Sequence, residues 1–292
     1  MCLNSVLYSV SRLNLKCEFI LVDDASQAPD RILDAFRQHR SNAKGHETKI
    51  IRSRKHQHYS GVFSIGLHFA SRDVIFFISN DMFVPPSFIQ ALLLVSSLSR
   101  DFGIVRGTSN YVDSHPEHCV EPKERPKHFR DVDEFARSVF NATGCSFVED
   151  RLLSGDAILL KRELVDRIGV LDLRFFGYFG DIDYGMRAHL AGFKLVCAKG
   201  AWLFHEGSGH VKQEMAQQAL TVDQARDRRM ALVEAAYREF REKWQLGELP
   251  AQWNAGNSIP SLDFVELARA HAANVPLKYE FPVQTLNDLE II

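Results

Sequence analysis

The sequence predicts an α/β protein with a mostly parallel sheet that is flanked by helices and followed by a helical C-terminal extension. Two observations support this fold class. Short apolar runs of strand length alternate with amphipathic helical patterns, as in sheets that are built from βα units. Acidic residues directly follow two of these runs, and ligands bind at such strand ends in open α/β sheets.

Size and composition exclude several other classes. The chain has 292 residues, of which 46% are hydrophobic and 25% charged, so we expect a folded core rather than disorder. The formal net charge is −2, which gives no general attraction for nucleic acid or for an anionic membrane. The cysteines form no C-x-x-C pair, and no apolar run reaches the ~20 residues that span a bilayer. We therefore expect a cytoplasmic protein without a transmembrane segment.

The first third of the chain predicts alternating helices and strands. Leu3, Leu7, Val10 and Leu13 recur at steps of three and four, which indicates that the chain opens in a helix. The next predicted elements are a strand over 19–22, a helix over 61–70, a strand over 74–78 and a helix opened by Pro85 and Pro86.

The remaining elements continue this alternation until about residue 210. They are a short strand over 103–105, a polar irregular connection, a strand over 157–160, a helix ended by Gly169, a helix over 181–190 and closing strands over 193–197 and 201–204. Thr221-x-x-Gln224 then has the pattern of a capping box. An apolar stripe follows, which we expect to pack against the main domain: Met230, Val233, Tyr237, Phe240 and Trp244. The predicted division is a domain over 1–210 and a helical extension over 211–292.

Two polar pairs follow predicted strands. Asp23-Asp24 ends the first strand and Asn80-Asp81 the second. A carboxylate at a strand end costs folding free energy unless a ligand, a metal or a hydrogen-bond donor uses it. The alternative for each pair is a turn or a helix N-cap, which Asp and Asn favour.

Two further groups of residues carry chemistry. Asp181 and Asp183 lie at a predicted helix start, where the helix dipole favours an ionised carboxylate, so Asp181 is a candidate proton acceptor. The alternative is an N-cap for one acid and an ion pair with Arg187 for the other. His205 ends a strand and is a candidate single metal ligand or a surface residue, whereas His210 is expected at the surface. Their spacing differs from the H-E-x-x-H pattern of zinc proteases.

Three segments together resemble glycosyltransferase family 2. They are VDDAS at 22–26, SGVFSIGLHFASRDVIFFISNDMFVPPSFI at 60–89, and SGDAILLKRELVDRIGVLDLRFFGYFGDIDYGMRAHLAGFKLVCAKGAWLFHEGS at 154–208. The resemblance implies the GT-A fold, a Rossmann-like sheet flanked by helices. It also implies inverting transfer from a nucleotide-sugar donor.

The resemblance assigns roles to the candidate residues. Asp24, with Asp23 beside it, would bind the donor's nucleobase, and Asn80 would face the ribose or the sugar. Asp81 would bind a divalent metal, Mn²⁺ or Mg²⁺, and His205 would complete that metal site.

The resemblance also assigns Asp181 as the general base, on an acceptor that is a glycan, a lipid-linked molecule or a protein. The donor would be a UDP-, GDP- or dTDP-sugar, and a peripheral membrane contact remains open. Two other classes stay as alternatives: a non-catalytic nucleotide-sugar-binding protein, and another metal-dependent α/β enzyme that uses nucleotides. A nucleotidyltransferase would need a Gly-rich phosphate loop near the N-terminus, and the sequence has none there.

The sequence departs from the family pattern in three places. Ser64 stands where relatives commonly have Asn, and Gly180 replaces the acid before the catalytic Asp. The family usually begins with a central apolar strand, whereas this sequence begins with the predicted helix. We therefore expect an N-terminally shortened form with a gap beside the strand at 18–22 and weak donor binding.

Overall fold

The computed structural model describes residues 2–112, 115–207, 221–246 and 264–292. The described helices are α1 (Cys2–Arg12), α2 (Pro29–Asn42), α3 (His58–Phe69), α4 (Pro86–Leu98), α5 (Phe129–Thr143), α6 (Arg162–Ile168), α7 (Gly180–Leu190), α8 (Val222–Trp244) and α9 (Phe264–His271). The described strands are β1 (Glu18–Asp24), β2 (Glu47–Ser53), β3 (Val74–Ile78), β4 (Met82–Phe83), β5 (Phe102–Ser109), β6 (Phe147–Asp150), β7 (Ala157–Lys161), β8 (Lys194–His205) and β9 (Leu289–Ile291).

The strands form two sheets with helices packed on them, which confirms the predicted α/β class. One sheet has the order β1-β2-β9, and the other has the order β3-β7-β5-β8-β4 with β6 beside β8. Only the β1–β2 and β5–β8 ladders are parallel among the described pairings. The expectation of a mostly parallel sheet is therefore wrong in strand direction. Strand β7 lies antiparallel between β3 and β5, and β4, β6 and β9 each pair antiparallel as well.

Strands β1 and β3 each lie at one end of their sheet. Within the described ranges, β1 pairs only with β2, and β3 pairs only with β7. The apolar residues of β3 stay partly exposed along the strand, and Val74 is 43% exposed. The element before β1 is the helix α1, as predicted. A strand that would fill the space beside β1 stays a prediction.

Helix α1 fixes the segment that follows Asp81. Val6 and Val10 of its apolar face are buried. Two serines of the helix hold Val84: Ser9 Oγ donates to its carbonyl oxygen at 2.6 Å, and Ser5 Oγ accepts from its N–H at 3.1 Å. Since Val84 stands three positions after Asp81, these bonds help to hold that acid in place.

The two predicted closing strands are one 12-residue strand, β8. The predicted break at 198–200 appears instead as a shift of register against β5 between Arg106 and Thr108. Gly200 makes this continuity possible, because a Cβ there would overlap the carbonyl oxygen of Gly144. The strand consequently runs on to His205, which lies opposite Met82 of β4.

The C-terminal extension packs against the main domain, as predicted. Thr221 and Gln224 form the expected reciprocal capping box at the start of α8. The apolar stripe of α8 is buried against residues of α7 and of the segment before it, and this cluster includes Val233, Tyr237, Phe240, Trp244, Phe175, Phe179, Ile182 and Met186. The expectation of a purely helical extension is wrong, because β9 pairs antiparallel with β2.

The predicted domain boundary and His210 lie outside the described residues. No described helix combines the length and the apolar character that crossing a bilayer requires.

Candidate functional site

Asp81 and His205 meet at the edge of the larger sheet. The β4–β8 ladder brings them together, and His205 Nε2 lies 3.2 Å from Asp81 Oδ2 although 124 positions separate the two residues. Their side chains are 21% and 11% exposed, so solvent reaches both. The predicted approach of these two side chains is therefore observed. Their role as metal ligands stays a prediction.

The backbone of His205 is fixed by one side chain. Asn110 Nδ2 donates to the His205 carbonyl oxygen at 2.9 Å, and the His205 N–H donates to Asn110 Oδ1 at 2.6 Å. Burial lowers the pKa of His205, but the hydrogen bond to Asp81 and the charges of Asp81 and Asp156 raise it, and the net shift is upward. Asp81 and Asp156 therefore raise the pKa of the His205 imidazole.

This pair suits a divalent cation. One carboxylate oxygen and one imidazole nitrogen are ligands that Mn²⁺ accepts, while Mg²⁺ prefers oxygen. Two protein ligands leave the other coordination positions for water and for phosphate oxygens. Asn80 is exposed in the turn directly before Asp81, so its side chain can contact a bound ligand.

Asp181 lies in the first turn of α7 and remains partly exposed. Its Oδ1 accepts from the N–H of Ile182 at 2.9 Å, and its Oδ2 accepts from the N–H of Gly155 at 3.1 Å. Burial and the charge of Asp156 outweigh these hydrogen bonds and raise the pKa of Asp181 from 3.8 to about 6. The expectation that the helix start would favour the ionised form is therefore wrong in its direction. A pKa close to neutrality nevertheless suits a general base.

Asp156 is the acid that the sequence analysis missed. Its charge raises the pKa of Asp181, of Tyr59 and of His205, so it lies near all three side chains. Asp156 precedes β7, whereas the predicted acids follow strands. Because β7 is antiparallel to β3 and β5, the start of β7 lies at the edge where those strands end. The signal in the sequence was an acid directly before an apolar run, which marks the ligand edge when that run forms an antiparallel strand.

Tyr59 of helix α3 contacts Gly155, the residue whose N–H binds Asp181. Tyr59 Oη donates to the carbonyl oxygen of Gly155 at 3.0 Å. A side chain at Gly155 would overlap this hydroxyl, so only glycine allows the approach. Burial and the charges of Asp181 and Asp156 raise the pKa of Tyr59, which keeps its hydroxyl protonated as a donor.

The carboxylate of Asp24, at the end of β1, accepts hydrogen bonds from the start of α3. Its Oδ1 accepts from the N–H of Gln57 at 2.6 Å, and its Oδ2 accepts from the N–H of His58 at 3.1 Å and contacts His56 Nδ1. Asp24 therefore accepts N–H groups at the start of a helix 33 positions away in sequence, whereas the N-cap residue of that helix is Gln57. Its predicted contact with a nucleobase stays a prediction.

Asp23 is buried beside the β1 turn. Its Oδ1 accepts from the N–H of Ser26 at 3.3 Å, and Arg52 Nε lies 3.8 Å from its Oδ2. This acid is therefore held mainly by the turn, and the structure brings neither Asp23 nor Asp24 into contact with Asp181 or Asp81 in any described hydrogen bond.

Asp183 has entirely different surroundings from Asp181. It is fully buried, and its Oδ2 lies 2.9 Å from Arg187 Nε. Lys243 Nζ and Trp244 Nε1 approach its Oδ1 at 2.6 Å and 3.0 Å. The alternative of an ion pair with Arg187 is confirmed for this acid.

Two of the departures from the family pattern, Ser64 and Gly180, have a packing explanation. Ser64 is buried, and its Oγ accepts from the N–H of Leu171 at 3.2 Å. At Gly180, a Cβ would overlap Ser60 Oγ, which donates to the carbonyl oxygen of Phe175. A carboxylate at position 180 would therefore not fit this packing.

The described residues contain groups of three potential metal ligands elsewhere: His115, Glu117 and His118, and His118, Asp150 and Cys197. Lys199 Nζ donates to His118 Nδ1 at 2.9 Å, and His118 Nε2 then donates to Asp150 Oδ1 at 2.6 Å. A neutral imidazole has one nitrogen lone pair, and Lys199 occupies it. These hydrogen bonds occupy both nitrogens of His118 and tie the segment at 115–118 to β6 and β8.

The mixed sheets, the flanking helices and the acids at one sheet edge define a protein of the GT-A class. The chain belongs to glycosyl transferase family 2, because the profile of that family matches residues 2–156, more than half of its length. No curated protein sequence matches the chain significantly.

Among solved structures, the chain is similar to the mannosyltransferase PcManGT from Pyrobaculum calidifontis in complex with GDP-Man and Mn²⁺. The identity is 12%, the match covers 94% of this chain and 83% of that one, and the TM-score is 0.47. For GalNAc-T7 with UDP, GalNAc and Mn²⁺, the identity is 13%, the coverages are 68% and 40%, and the TM-score is 0.49. For glucosyl-3-phosphoglycerate synthase from Mycobacterium tuberculosis with Mn²⁺, UDP and phosphoglyceric acid, the identity is 12%. The match covers 72% of this chain and 77% of that one, and the TM-score is 0.39.

Proposed function

We propose that the protein is an inverting glycosyltransferase, of the hexosyltransferase type, that moves a sugar from a nucleotide-diphosphate donor to an acceptor hydroxyl. The single observation that carries this proposal is the grouping of Asp81, His205, Asp156 and Asp181 at one sheet edge, which the distance between Asp81 and His205 and the pKa shift of Asp181 support. Membership in glycosyl transferase family 2 supports it independently.

Asp181 is the proposed general base. With a pKa of about 6 it is mostly ionised at pH 7, yet basic enough to accept a proton from the acceptor hydroxyl. That oxygen attacks the anomeric carbon from the face opposite the leaving nucleotide diphosphate. One displacement therefore inverts the anomeric centre, and no covalent enzyme intermediate is needed.

Asp81 and His205 are the residues that would hold a divalent metal, Mn²⁺ or Mg²⁺. When bound, such a cation neutralises the negative charge that develops on the diphosphate leaving group. Asn80, exposed in the same turn, would contact the ribose or the sugar. Asp24 and Asp23 would lie at the nucleobase, and a nucleotide there has to share Asp24 with the start of α3.

The donor is proposed to be a UDP-, GDP- or dTDP-sugar and the acceptor a glycan, a lipid-linked molecule or a protein. A role in polysaccharide biosynthesis and a cytoplasmic location complete the proposal, with the transferase domain at 1–210 and the extension at 211–292. A peripheral membrane contact is compatible with it.

A non-catalytic protein that binds nucleotide sugars is the second candidate. One observation favours it: Gly180 stands where the family pattern has an acid before the catalytic Asp, and a side chain there would overlap Ser60 Oγ. This candidate predicts donor binding without turnover.

A thermal-shift screen of UDP-, GDP- and dTDP-sugars, each with and without Mn²⁺, tests the proposal first, since a bound ligand raises the apparent melting temperature. The donor that stabilises the protein is then assayed for release of the nucleoside diphosphate. Metal-dependent release supports the transferase. Binding without release supports the second candidate, and no stabilisation by any donor contradicts both.

A further inference from the structure

Helix α8 reaches the buried side of α7 and forms an ion cluster there. We define this ion cluster as Asp172, Asp183, Arg187, Lys243 and Trp244. Lys243 Nζ lies 2.6 Å from Asp183 Oδ1 and 3.0 Å from Asp172 Oδ2, and the lysine side chain is only 2% exposed. An ammonium group so deeply buried has to be held by its anions, since a lone buried charge is strongly unfavourable.

Two side chains of α8 contact Asp183 Oδ1. Trp244 Nε1 donates to Oδ1 at 3.0 Å, next to the contact with Lys243. Arg187 takes the other oxygen and also donates to the carbonyl oxygen of Ile168 at 2.8 Å and of Leu277 at 3.2 Å. Helix α7 is thus fixed in its rotation about its own axis by charged groups from α8 and by the backbone on either side.

The rotation of α7 determines where Asp181 points. Asp181 and Asp183 share the first turn of the helix, and Asp181 Oδ2 makes one hydrogen bond to a distant part of the chain, with the N–H of Gly155 at 3.1 Å. Phe179, the residue before the helix, has φ 65°, a left-handed conformation that packing has to maintain. Phe179 packs against Phe240 of α8, with ring centroids 5.1 Å apart.

We propose that Lys243 and Trp244 of the C-terminal helix are positioning residues that hold the Asp181 carboxylate in its reactive orientation by anchoring Asp183. This inference rests on the proposed function, in which Asp181 is the base. It gives the extension a role in turnover that needs no contact with the substrate.

The test compares four proteins: the wild type, Lys243→Met, Trp244→Phe and the control Arg238→Met. Lys243→Met keeps the length of the side chain and removes its charge. Trp244→Phe keeps an aromatic ring in the core, but it removes the N–H donor and the volume of the second ring, so it perturbs Asp183 without removing a charge. Arg238 is exposed on the same helix, and its replacement removes a cation without touching the ion cluster.

Two measurements are made on each protein. The first is kcat and KM for release of nucleoside diphosphate from the stabilising donor, across a range of pH. The second is hydrogen–deuterium exchange of the peptide over 180–190, which reports the order of α7 without depending on activity.

We expect kcat to fall at least about tenfold in Lys243→Met and a few-fold in Trp244→Phe, as for misplacement of a proton-transfer group. The donor KM should change less than twofold, because α8 contacts none of Asp24, Asn80, Asp81 or His205 in any described hydrogen bond or ion pair. The 180–190 peptide should exchange faster, and Arg238→Met should match the wild type throughout.

Wild-type kcat together with unchanged exchange in Lys243→Met and Trp244→Phe would overturn the inference. Failure of the proposed function looks different. In that case Asp181→Asn keeps the wild-type rate, whatever Lys243→Met does.

Discussion

Asp181 and Asp183 stand two positions apart in the first turn of α7, and their surroundings differ in every property that sets the behaviour of a carboxylate. Asp183 is fully buried, and Arg187, Lys243 and Trp244 direct charged or N–H groups at its two oxygens. Asp181 is partly exposed, accepts two backbone N–H groups and faces the negative charge of Asp156. The same helix start therefore carries one structural acid and one acid available for chemistry.

The difference shows what decides the role of an acid at a helix start. Both positions experience the same helix dipole, so the dipole does not separate them. Groups from distant parts of the chain do: Lys243 and Trp244 approach one acid from α8, and Asp156 approaches the other from the start of β7.

Replacing Asp181 by its amide should have the largest effect on turnover. Asp181→Asn removes the proton acceptor, so turnover should fall by roughly two to four orders of magnitude while donor and metal binding persist. The measurement is nucleoside diphosphate release under donor saturation, with donor binding followed by calorimetry. Unchanged turnover would remove Asp181 from the mechanism.

The free energy of unfolding should depend on Asp183 much more than on Asp181. Asp183→Asn breaks a buried ion cluster and should lower the free energy of unfolding by about 3–5 kcal/mol, measured by urea denaturation at pH 7. Asp181→Asn should cause no comparable loss. Equal stability of the Asp183 variant and the wild type would show that the ion cluster contributes nothing to folding.

The metal pair should respond unequally to truncation. Asp81→Ala should weaken Mn²⁺-dependent donor binding more than His205→Ala, because the carboxylate supplies a charge as well as a ligand atom. Titrations of each variant with the stabilising donor, in the presence and absence of Mn²⁺, measure this. Equal binding by Asp81→Ala and the wild type would exclude a metal at this pair.

The pH dependence of stability should distinguish Asp181 from ordinary acids. Its folded pKa, about 6, lies above the usual 3.8, so the folded state holds the proton more tightly than the unfolded state does. The stabilising contribution of this group is present below pH 4 and is lost as the pH rises through 6. Asp181→Asn should therefore gain in melting temperature relative to the wild type at pH 7.5, and the gain should shrink at pH 4. A gain that is larger at pH 4 would contradict the raised pKa.

Local patterns were enough to predict much of this molecule. Apolar runs followed by acids indicated β3 and the Asp81 turn, and helical periodicity with a capping box indicated α8 and its buried face. His205 could be named as a partner of Asp81 because the resemblance to the family assigned it that role. The separation of 124 positions offers no local signal for such a contact.

The missed features depend on contacts between distant segments. Asp156 precedes its strand, so its position at the ligand edge follows only once the antiparallel direction of β7 is known. The ion cluster joins Asp183 to Lys243, and nothing in either local sequence indicates the other residue. The continuous strand β8 depends on the close approach of Gly200 to Gly144, which the pattern of residues 193–204 does not reveal.

The role of Asp181 as the general base is tested most directly by the pH profile of kcat/KM for donor turnover, measured side by side for the wild type and Asp181→Asn. We expect the wild-type kcat/KM to fall below a pH of about 6 with the slope of a single proton, because Asp181 becomes protonated. Asp181→Asn should have a low rate without this acid limb. An acid limb of the same position and slope in both proteins would contradict the account, because a group other than Asp181 would then be accepting the proton.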